Sequence, residues 1–197
     1  MAGYIGRLGQ GLGAALILVS AGAHAADPPS RAEAIAAADA AAGLSSKADA
    51  GVPVCASPPP SGEKLAGDLK VGEQGHSIEV ANGGGGDALV NLRHADTRKL
   101  ASRFYLRSNE AMTIEGVPDG VYLIQYAFGP ALAPDCKTFT RIIRARELPE
   151  ADDLKTETID NDEQTSVKYS SVSYQLSVSE SANVKPVTID AAAFNAE

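Results

Sequence analysis

The chain has 197 residues, of which 25 are acidic and 17 basic, so its formal net charge is −8 at neutral pH. Nucleic acids and anionic membranes are bound mainly through clustered Lys and Arg, so an acidic surface argues against both as partners. Trp is absent and Gly is abundant at 19 residues, a composition that suits a turn-rich β domain better than a helical one.

The first residues predict a secretory signal. Arg7 precedes the apolar run 11–19, and small residues ending in Ala25 follow it. A membrane-spanning helix needs about 20 apolar residues, roughly twice this run. We therefore expect residues 1–25 to be cleaved and the protein to be exported, without a membrane span, to the periplasm or the extracellular space. The remaining 16 basic and 25 acidic residues give a net charge of −9.

Residues 26–62 predict a largely disordered tail or linker, rich in Ala and Pro. Ser30 and Glu33 form a capping-box pattern, which favours a short helix in this stretch. Further on, three successive prolines at 58–60 favour an extended spacer. The globular part of the chain is therefore expected over residues 63–197.

The sequence contains two cysteines, Cys55 and Cys136. Paired cysteines are common in exported proteins, so we expect a disulfide that straps the spacer onto the domain. A redox pair is disfavoured because the C-x-x-C spacing is missing.

Residues 63–197 predict a mainly β domain, an antiparallel β-sandwich of about seven or eight strands with transthyretin-like or immunoglobulin-like architecture. Short segments of alternating apolar and polar residues are separated by turn residues, as in sandwiches and barrels. The predicted strands cover residues 77–81, 87–93, 102–107, 111–115, 121–128, 138–146 and 172–178, with less regular strands near 155–159 and 184–189.

Two glycine-containing segments predict hairpins. Residues 82–86 (NGGGG) favour a turn over a phosphate-binding loop, because a strand follows in place of a Lys-Ser or Lys-Thr pair at a helix start. Residues 116–120 (GVPDG) predict a tight turn in which Pro118 fixes φ and Gly120 accepts a positive φ. The strand that follows, 121–128, is apolar on both faces, which predicts a central position in the sheet.

The last strands show a change of parity. In the strand 172–178 the even-numbered residues are apolar, whereas Val167 and Tyr169 before it are odd-numbered. A bulge near Ser170 would reconcile the two registers. At the end of the chain, Phe194 is expected to dock on the domain from a short turn.

Several of these segments together resemble a known family. The NG turn, the DALV strand, the FYLR strand and the GVPDGVYL segment are similar to small transthyretin-like or carboxypeptidase-regulatory-like sandwiches of exported bacterial proteins, over residues 75–194. The resemblance implies a non-catalytic adaptor or binding module. It supplies no catalytic residues.

Two histidines and nearby carboxylates are weak candidates for a metal site. His76 and His94 flank the first two predicted strands, with Asp96 close by, and such a set can hold zinc. Their spacing matches no metal signature, so exposed histidines are favoured and no cofactor is expected. The carboxylates at 160–163 lack the central Gly and the last Glu of a calcium loop and favour a solvated turn.

The sequence shows no catalytic constellation, since the serine-hydrolase elbow is missing and all three histidines precede Asp96. We therefore expect a non-catalytic binding or accessory domain that acts through protein contacts. The alternatives are a metal-dependent protein using His76 and His94, or a carbohydrate-binding module using Tyr105, which is less favoured without Trp. The best candidate interaction patch is basic and comprises Arg103, Arg107, Arg141, Arg144 and Arg146.

Overall fold

The computed structural model describes residues 51–161, 164–176 and 185–197. The predicted signal and the predicted helix after Ser30 lie outside these residues. Within them, no helix is long and apolar enough to cross a membrane. The described elements are β1 (Lys64–Ala66), β2 (His76–Asn82), β3 (Ala88–His94), β4 (Leu100–Leu106), β5 (Ala111–Val117), β6 (Gly120–Phe128), β7 (Arg144–Glu147), β8 (Asp152–Leu154), β9 (Glu157–Asn161), β10 (Gln164–Lys168), β11 (Ser171–Leu176), β12 (Val187–Thr188) and α1 (Ala191–Asn195).

The strands form two main sheets and a separate hairpin. The larger sheet has the order β1-β4-β3-β6-β7-β12, with β8 paired to β6 as well, and all its pairs are antiparallel. The smaller sheet has the order β11-β2-β5, in which β2 runs antiparallel to β5 and parallel to β11. Among the described strands, β9 and β10 pair only with each other. The prediction of a mainly β fold with antiparallel sheets is confirmed, with one parallel pair that was not foreseen.

The main hydrophobic core lies between the two sheets. Val90 and Ile124 of the larger sheet pack in one cluster with Ile78 and Met112 of the smaller sheet. Because successive side chains of a strand point to opposite faces, each of these strands places every second residue in this core. Leu176 of β11 is buried in the same cluster, and Val172 and Tyr174 pack against it, so the predicted inward positions of this strand are confirmed up to Leu176. The last two residues of the predicted strand, 177–178, lie outside the described residues.

The opposite face of the larger sheet is also covered. Leu89, Tyr105 and Ala127 on this face form a second cluster with residues from outside the sheets. The central strands β3, β4 and β6 are therefore buried on both faces, which the apolar pattern had predicted for β6 alone. The covering residues are Cys55 from the spacer, Leu132 and Phe139 from the loop before β7, and Phe194 from α1.

Residues 82–86 do not close a hairpin, because β2 and β3 belong to different sheets. Asn82 organises the segment: its Nδ2 donates to the carbonyl oxygen of Gly86 at 2.9 Å and its Oδ1 accepts from the amide of Gly84 at 3.2 Å. The glycines therefore carry the chain from the smaller sheet to the larger one. The alternating pattern specifies the strands on either side but not their partners.

The GVPDG segment is likewise a corner between sheets, since β5 lies in the smaller sheet and β6 in the larger one. The positive φ falls on Gly116, at 71°, and not on Gly120. A Cβ on Gly116 would lie 2.0 Å from the carbonyl oxygen of Gly72, so the close approach of two backbone segments requires glycine there.

Two further predictions are corrected. The predicted strand 138–146 is reduced to β7, because residues 138–143 belong to a loop held by an isolated bridge between Leu132 and Phe139. The parity change near Ser170 is not a bulge. It marks the point at which the chain leaves β10 and enters the smaller sheet as β11.

Candidate functional site

The predicted disulfide is present and fastens the spacer to the domain. Cys55 and Cys136 are bonded, with a Cα–Cα distance of 5.1 Å and a sequence separation of 81. The amide of Cys55 also donates to the carbonyl oxygen of Leu132 at 2.9 Å. On the same segment, the carbonyl oxygen of Pro59 accepts from Arg107 Nη2 at 3.1 Å. The part of the spacer that the structure describes therefore lies against the larger sheet.

The five arginines of the predicted basic patch lie in different environments. Arg103 and Arg146 are buried, with 2% and 7% of their surface exposed, whereas Arg107 and Arg141 are exposed and Arg144 is half-buried. The five therefore do not form one exposed basic surface, and that expectation is corrected. Arg103 is buried because the spacer, the loop before β7 and α1 cover the outer face of the larger sheet. The alternation of residues within a strand does not reveal such a cover.

The three candidate metal ligands do not converge. His94 and Asp96 line an open cleft of 530 Å³, but His76 is not part of it. His94 packs against the ring of Tyr122, with 5.4 Å between ring centroids. Over residues 51–161, 164–176 and 185–197, no group of three or more His, Cys, Asp or Glu side chains is placed to hold a metal ion. The calcium candidate 160–163 lies partly outside the described residues.

His76 is fully buried, which contradicts the expectation of an exposed side chain. The burial follows from its position in β2, because His76 is on the same face of the strand as the core residues Ile78 and Val80. This pattern was visible in the sequence, and it marks His76 as an inward-facing residue that needs hydrogen-bond partners.

The hydrogen bonds of His76 define its protonation state. Nδ1 lies 2.8 Å from the amide nitrogen of Ser170, and Nε2 lies 2.9 Å from Asp119 Oδ1. A backbone N–H can only donate, so Nδ1 carries no proton and Nε2–H donates to the carboxylate. The ring of Tyr169 stands edge-on to the imidazole at 5.7 Å. The imidazole is therefore neutral, and both of its nitrogens are engaged.

Asp119 also binds the chain just before β9. The Asp119 carboxylate accepts from Thr156 Oγ1 at 2.5 Å and from the Thr156 amide at 3.1 Å. The hydrogen bond from the Thr156 hydroxyl, followed by those from His76 and the Thr156 amide, lowers the pKa of Asp119 to about 2. The carboxylate therefore stays ionised across the physiological range, although its side chain is exposed.

These contacts hold the two roots of the β9–β10 hairpin, which we call the arm (residues 157–168). Thr156 immediately precedes β9, and Ser170 follows β10 by two residues. We call His76, Asp119, Thr156 and Ser170 the base clamp. An isolated two-stranded hairpin is at best marginally stable in water, so the base clamp supplies support that the arm itself lacks.

The arm exposes apolar side chains on both faces. Ile159 is 39% exposed and lies opposite Ser166, whereas Val167 is 49% exposed and lies opposite Thr158. Neighbouring strand residues point to opposite sides, so each face of the arm carries one of the two apolar side chains. In sequence the arm contains four acidic residues and one basic residue, a net charge of −3.

No family model, curated protein or solved structure matches the chain.

Proposed function

We propose that the protein is a non-catalytic, exported binding module that acts through protein contacts, and that the arm is its contact surface. The observation that carries this proposal is the placement of the arm outside both sheets, with exposed Ile159 and Val167. Exposed apolar side chains on a hairpin that belongs to neither main sheet are suited to a partner surface. The disulfide and the predicted signal support export, because such bonds persist in oxidising compartments.

The partner that fits the arm best is a protein with a basic, exposed strand. Strands β9 and β10 belong to a two-stranded sheet, so each has an edge at which an added strand can pair through its main chain. The net charge of −3 on the arm and −8 on the chain favours a basic partner and speeds its encounter.

The non-catalytic part of the proposal is supported by the bonding of His76. A catalytic histidine needs one ring nitrogen that can reach a substrate. Here Nδ1 is occupied by the Ser170 amide and Nε2 by Asp119. We also propose that the domain is related to transthyretin-like sandwiches, on the basis of the sequence motifs within residues 75–194.

The test compares an arm variant with a matched surface control. The variant is Ile159→Lys with Val167→Lys, and the control is Val52→Lys with Val71→Lys, which are 44% and 54% exposed and lie off the arm. A photoreactive residue at position 159 identifies the partner in extract of the source cells, with the same residue at position 71 as reference. The partner is then purified, and its binding to all three proteins is measured directly.

We expect the arm variant to bind the purified partner at least about tenfold more weakly than the unmodified protein, because central apolar contacts carry most of the binding energy. The control should bind within about twofold of the unmodified protein. Binding should also weaken as salt rises from about 50 to about 300 mM, since the attraction is partly electrostatic. Equal binding by the arm variant and the control would refute the proposal, as would equal crosslinking from positions 159 and 71.

A further inference from the structure

The outer face of the larger sheet contains a buried polar site within its apolar cover. Asn91, Arg93, Arg103 and Gln125 all project from β3, β4 and β6 on this face and are buried. We call these four side chains the arginine slot. Burying a guanidinium group away from water costs free energy unless the group is paired, so the partners of Arg93 and Arg103 decide how this site is stabilised.

The partner at the centre of the arginine slot is the backbone carbonyl of Phe194. Its oxygen accepts from Asn91 Nδ2 at 2.8 Å, from Arg93 Nη2 at 3.0 Å and from Arg103 Nη2 at 3.1 Å. A carbonyl oxygen has two lone pairs and no net charge, yet three donors, two of them cationic, converge on it. This donor arrangement is better matched to a full negative charge.

The other hydrogen-bond acceptors of the two guanidinium groups are also uncharged, and those of Arg93 include the carbonyl oxygens of Arg98, Ala193 and Ala196. Arg93 Nε donates to Gln125 Oε1 at 2.6 Å, and Arg103 Nε donates to Asn91 Oδ1 at 2.8 Å. Glu147 accepts from Gln125 Nε2 at 2.7 Å and pairs with the exposed Arg98. Desolvation by burial, followed by repulsion from a neighbouring arginine, lowers the pKa of both Arg93 and Arg103. Attraction to carboxylates acts in the opposite direction, from Glu147 on Arg93 and from Glu197 and Asp135 on Arg103.

The pocket that holds the Phe194 ring adjoins the arginine slot. The Phe194 ring is fully buried in the cluster that contains Leu89 and Ala127, and the guanidinium of Arg103 lies 5.3 Å from the ring centroid. The arginine slot and the pocket thus recognise a bulky aromatic side chain and the oxygen that follows it along the chain. A peptide whose last residue is aromatic offers the same two groups, with a carboxylate in place of the carbonyl.

The segment that fills this site, residues 185–197, is attached to the domain through a short strand, Ile189 and α1. We call it the cap segment. Strand β12 pairs with β7 over two residues, and the amide of Ile189 donates to the carbonyl oxygen of Ala145 at 3.1 Å. In the five-residue helix α1, Phe194 is the buried residue. The carbonyl oxygens of Ala193 and Ala196 also accept from Arg93 Nη2. Release of α1 and the residue that follows it would therefore uncover the arginine slot.

We propose that the arginine slot is a binding site for peptides that end in an aromatic residue with a free carboxylate, and that the cap segment is a built-in occupant which such a peptide displaces. Oxygens of the peptide carboxylate replace the Phe194 carbonyl oxygen between Arg93 and Arg103, and the aromatic ring enters the pocket of Phe194. This site shares no residue with the arm or the base clamp, so the arm proposal and this one can fail separately.

The first test uses the full chain with Phe194→Ala and two probes, acetyl-Ala-Ala-Phe with a free carboxylate and the same peptide as its amide. We expect the variant to bind the carboxylate peptide at least about tenfold more tightly than the unmodified protein does, because no cap side chain has to leave. The amide should bind at least about tenfold more weakly than the carboxylate, since it lacks the charge that pairs with the arginines. Adding Arg103→Gln to the variant should abolish this preference. Equal binding of the two peptides, or no saturable binding, overturns the proposal.

A second measurement keeps the native cap and decides the matter if the Ala variant does not fold. With 4-fluorophenylalanine at position 194 of the otherwise unmodified chain, fluorine NMR reports whether the ring is buried. We expect the carboxylate peptide to move the resonance toward its solvent-exposed position, whereas the amide leaves it in place. A resonance that the carboxylate peptide does not move at about 5 mM overturns the proposal.

Discussion

His76 and Asp119 form a hydrogen-bonded pair in which a fully buried imidazole meets an exposed carboxylate, with 2.9 Å between Nε2 and Oδ1. The imidazole belongs to the smaller sheet, and the carboxylate belongs to the corner that joins the two sheets. Through Ser170 and Thr156 the same pair holds both roots of the arm. Fold stability and the position of the arm are therefore linked at one point.

Replacement of His76 should weaken both the fold and the arm. His76→Ala removes a buried ring and leaves the Ser170 amide without its acceptor, so we expect the free energy of unfolding to fall by about 2–4 kcal/mol. Urea denaturation measures this loss. Hydrogen exchange should in addition show that the substitution speeds the exchange of the arm amides more than that of the β3 and β6 amides. The control is His94→Ala, a half-buried residue, for which a loss below about 1.5 kcal/mol is expected. Losses of the same size at both positions would contradict the base clamp.

The carboxylate of Asp119 should make stability depend on pH in the acid range. Its pKa in the folded protein is about 2, below the ordinary value of 3.8, because Thr156 and His76 donate to it. A lowered folded-state pKa adds stability that is present above about pH 4 and is lost as the pH falls toward about 2. We therefore expect the difference in Tm between the unmodified protein and Asp119→Asn to be largest near pH 5 and to shrink toward pH 2. A difference that stays constant over this range would show that the charge of Asp119 does not contribute.

The disulfide should stabilise the cover of the larger sheet. For cysteines separated by 81 residues, the chain-entropy model gives about 4.5 kcal/mol. Urea denaturation of the protein with and without a reductant should show a loss of this order. The double variant Cys55→Ser with Cys136→Ser should behave like the reduced protein. Thiol labelling of denatured, unreduced protein should find no free thiol. One labelled thiol per cysteine would contradict the bond.

The local part of the fold was predictable from sequence, because alternation is a local property of a strand. It placed Ile78 and Leu176 in the core correctly, and Phe194 docks as expected. Strand partners were not predictable, since the turn chemistry at 82–86 and at 116–120 is the same in a hairpin and in a corner between sheets. In both cases the partner strand is chosen by packing between residues far apart in sequence.

The candidate sites were harder to predict for the same reason. Arg103 was expected on an exposed face, but its acceptor, the carbonyl of Phe194, lies 91 residues further along the chain. The sequence does not show that this segment returns to cover β4. The burial of His76 carried a visible signal, its parity with Ile78. Its partners Asp119 and Ser170 are 43 and 94 residues away, so the base clamp appears only in three dimensions.

The corner between β5 and β6 provides a test of the crossing between sheets. Gly116 has a φ of 71°, and an added Cβ would lie 2.0 Å from the Gly72 carbonyl oxygen. Gly62 has a φ of 84°, but its nearest neighbour, Met112 Cβ, would be 3.5 Å away. Both Ala substitutions therefore meet backbone strain of about 1 kcal/mol, and only Gly116→Ala adds a clash with backbone. We expect Gly116→Ala to lower the free energy of unfolding by at least about 2 kcal/mol more than Gly62→Ala, as measured by urea denaturation. Equal losses would mean that the backbones of Gly72 and Gly116 do not approach each other. That result would favour the predicted β5–β6 hairpin over the corner between sheets.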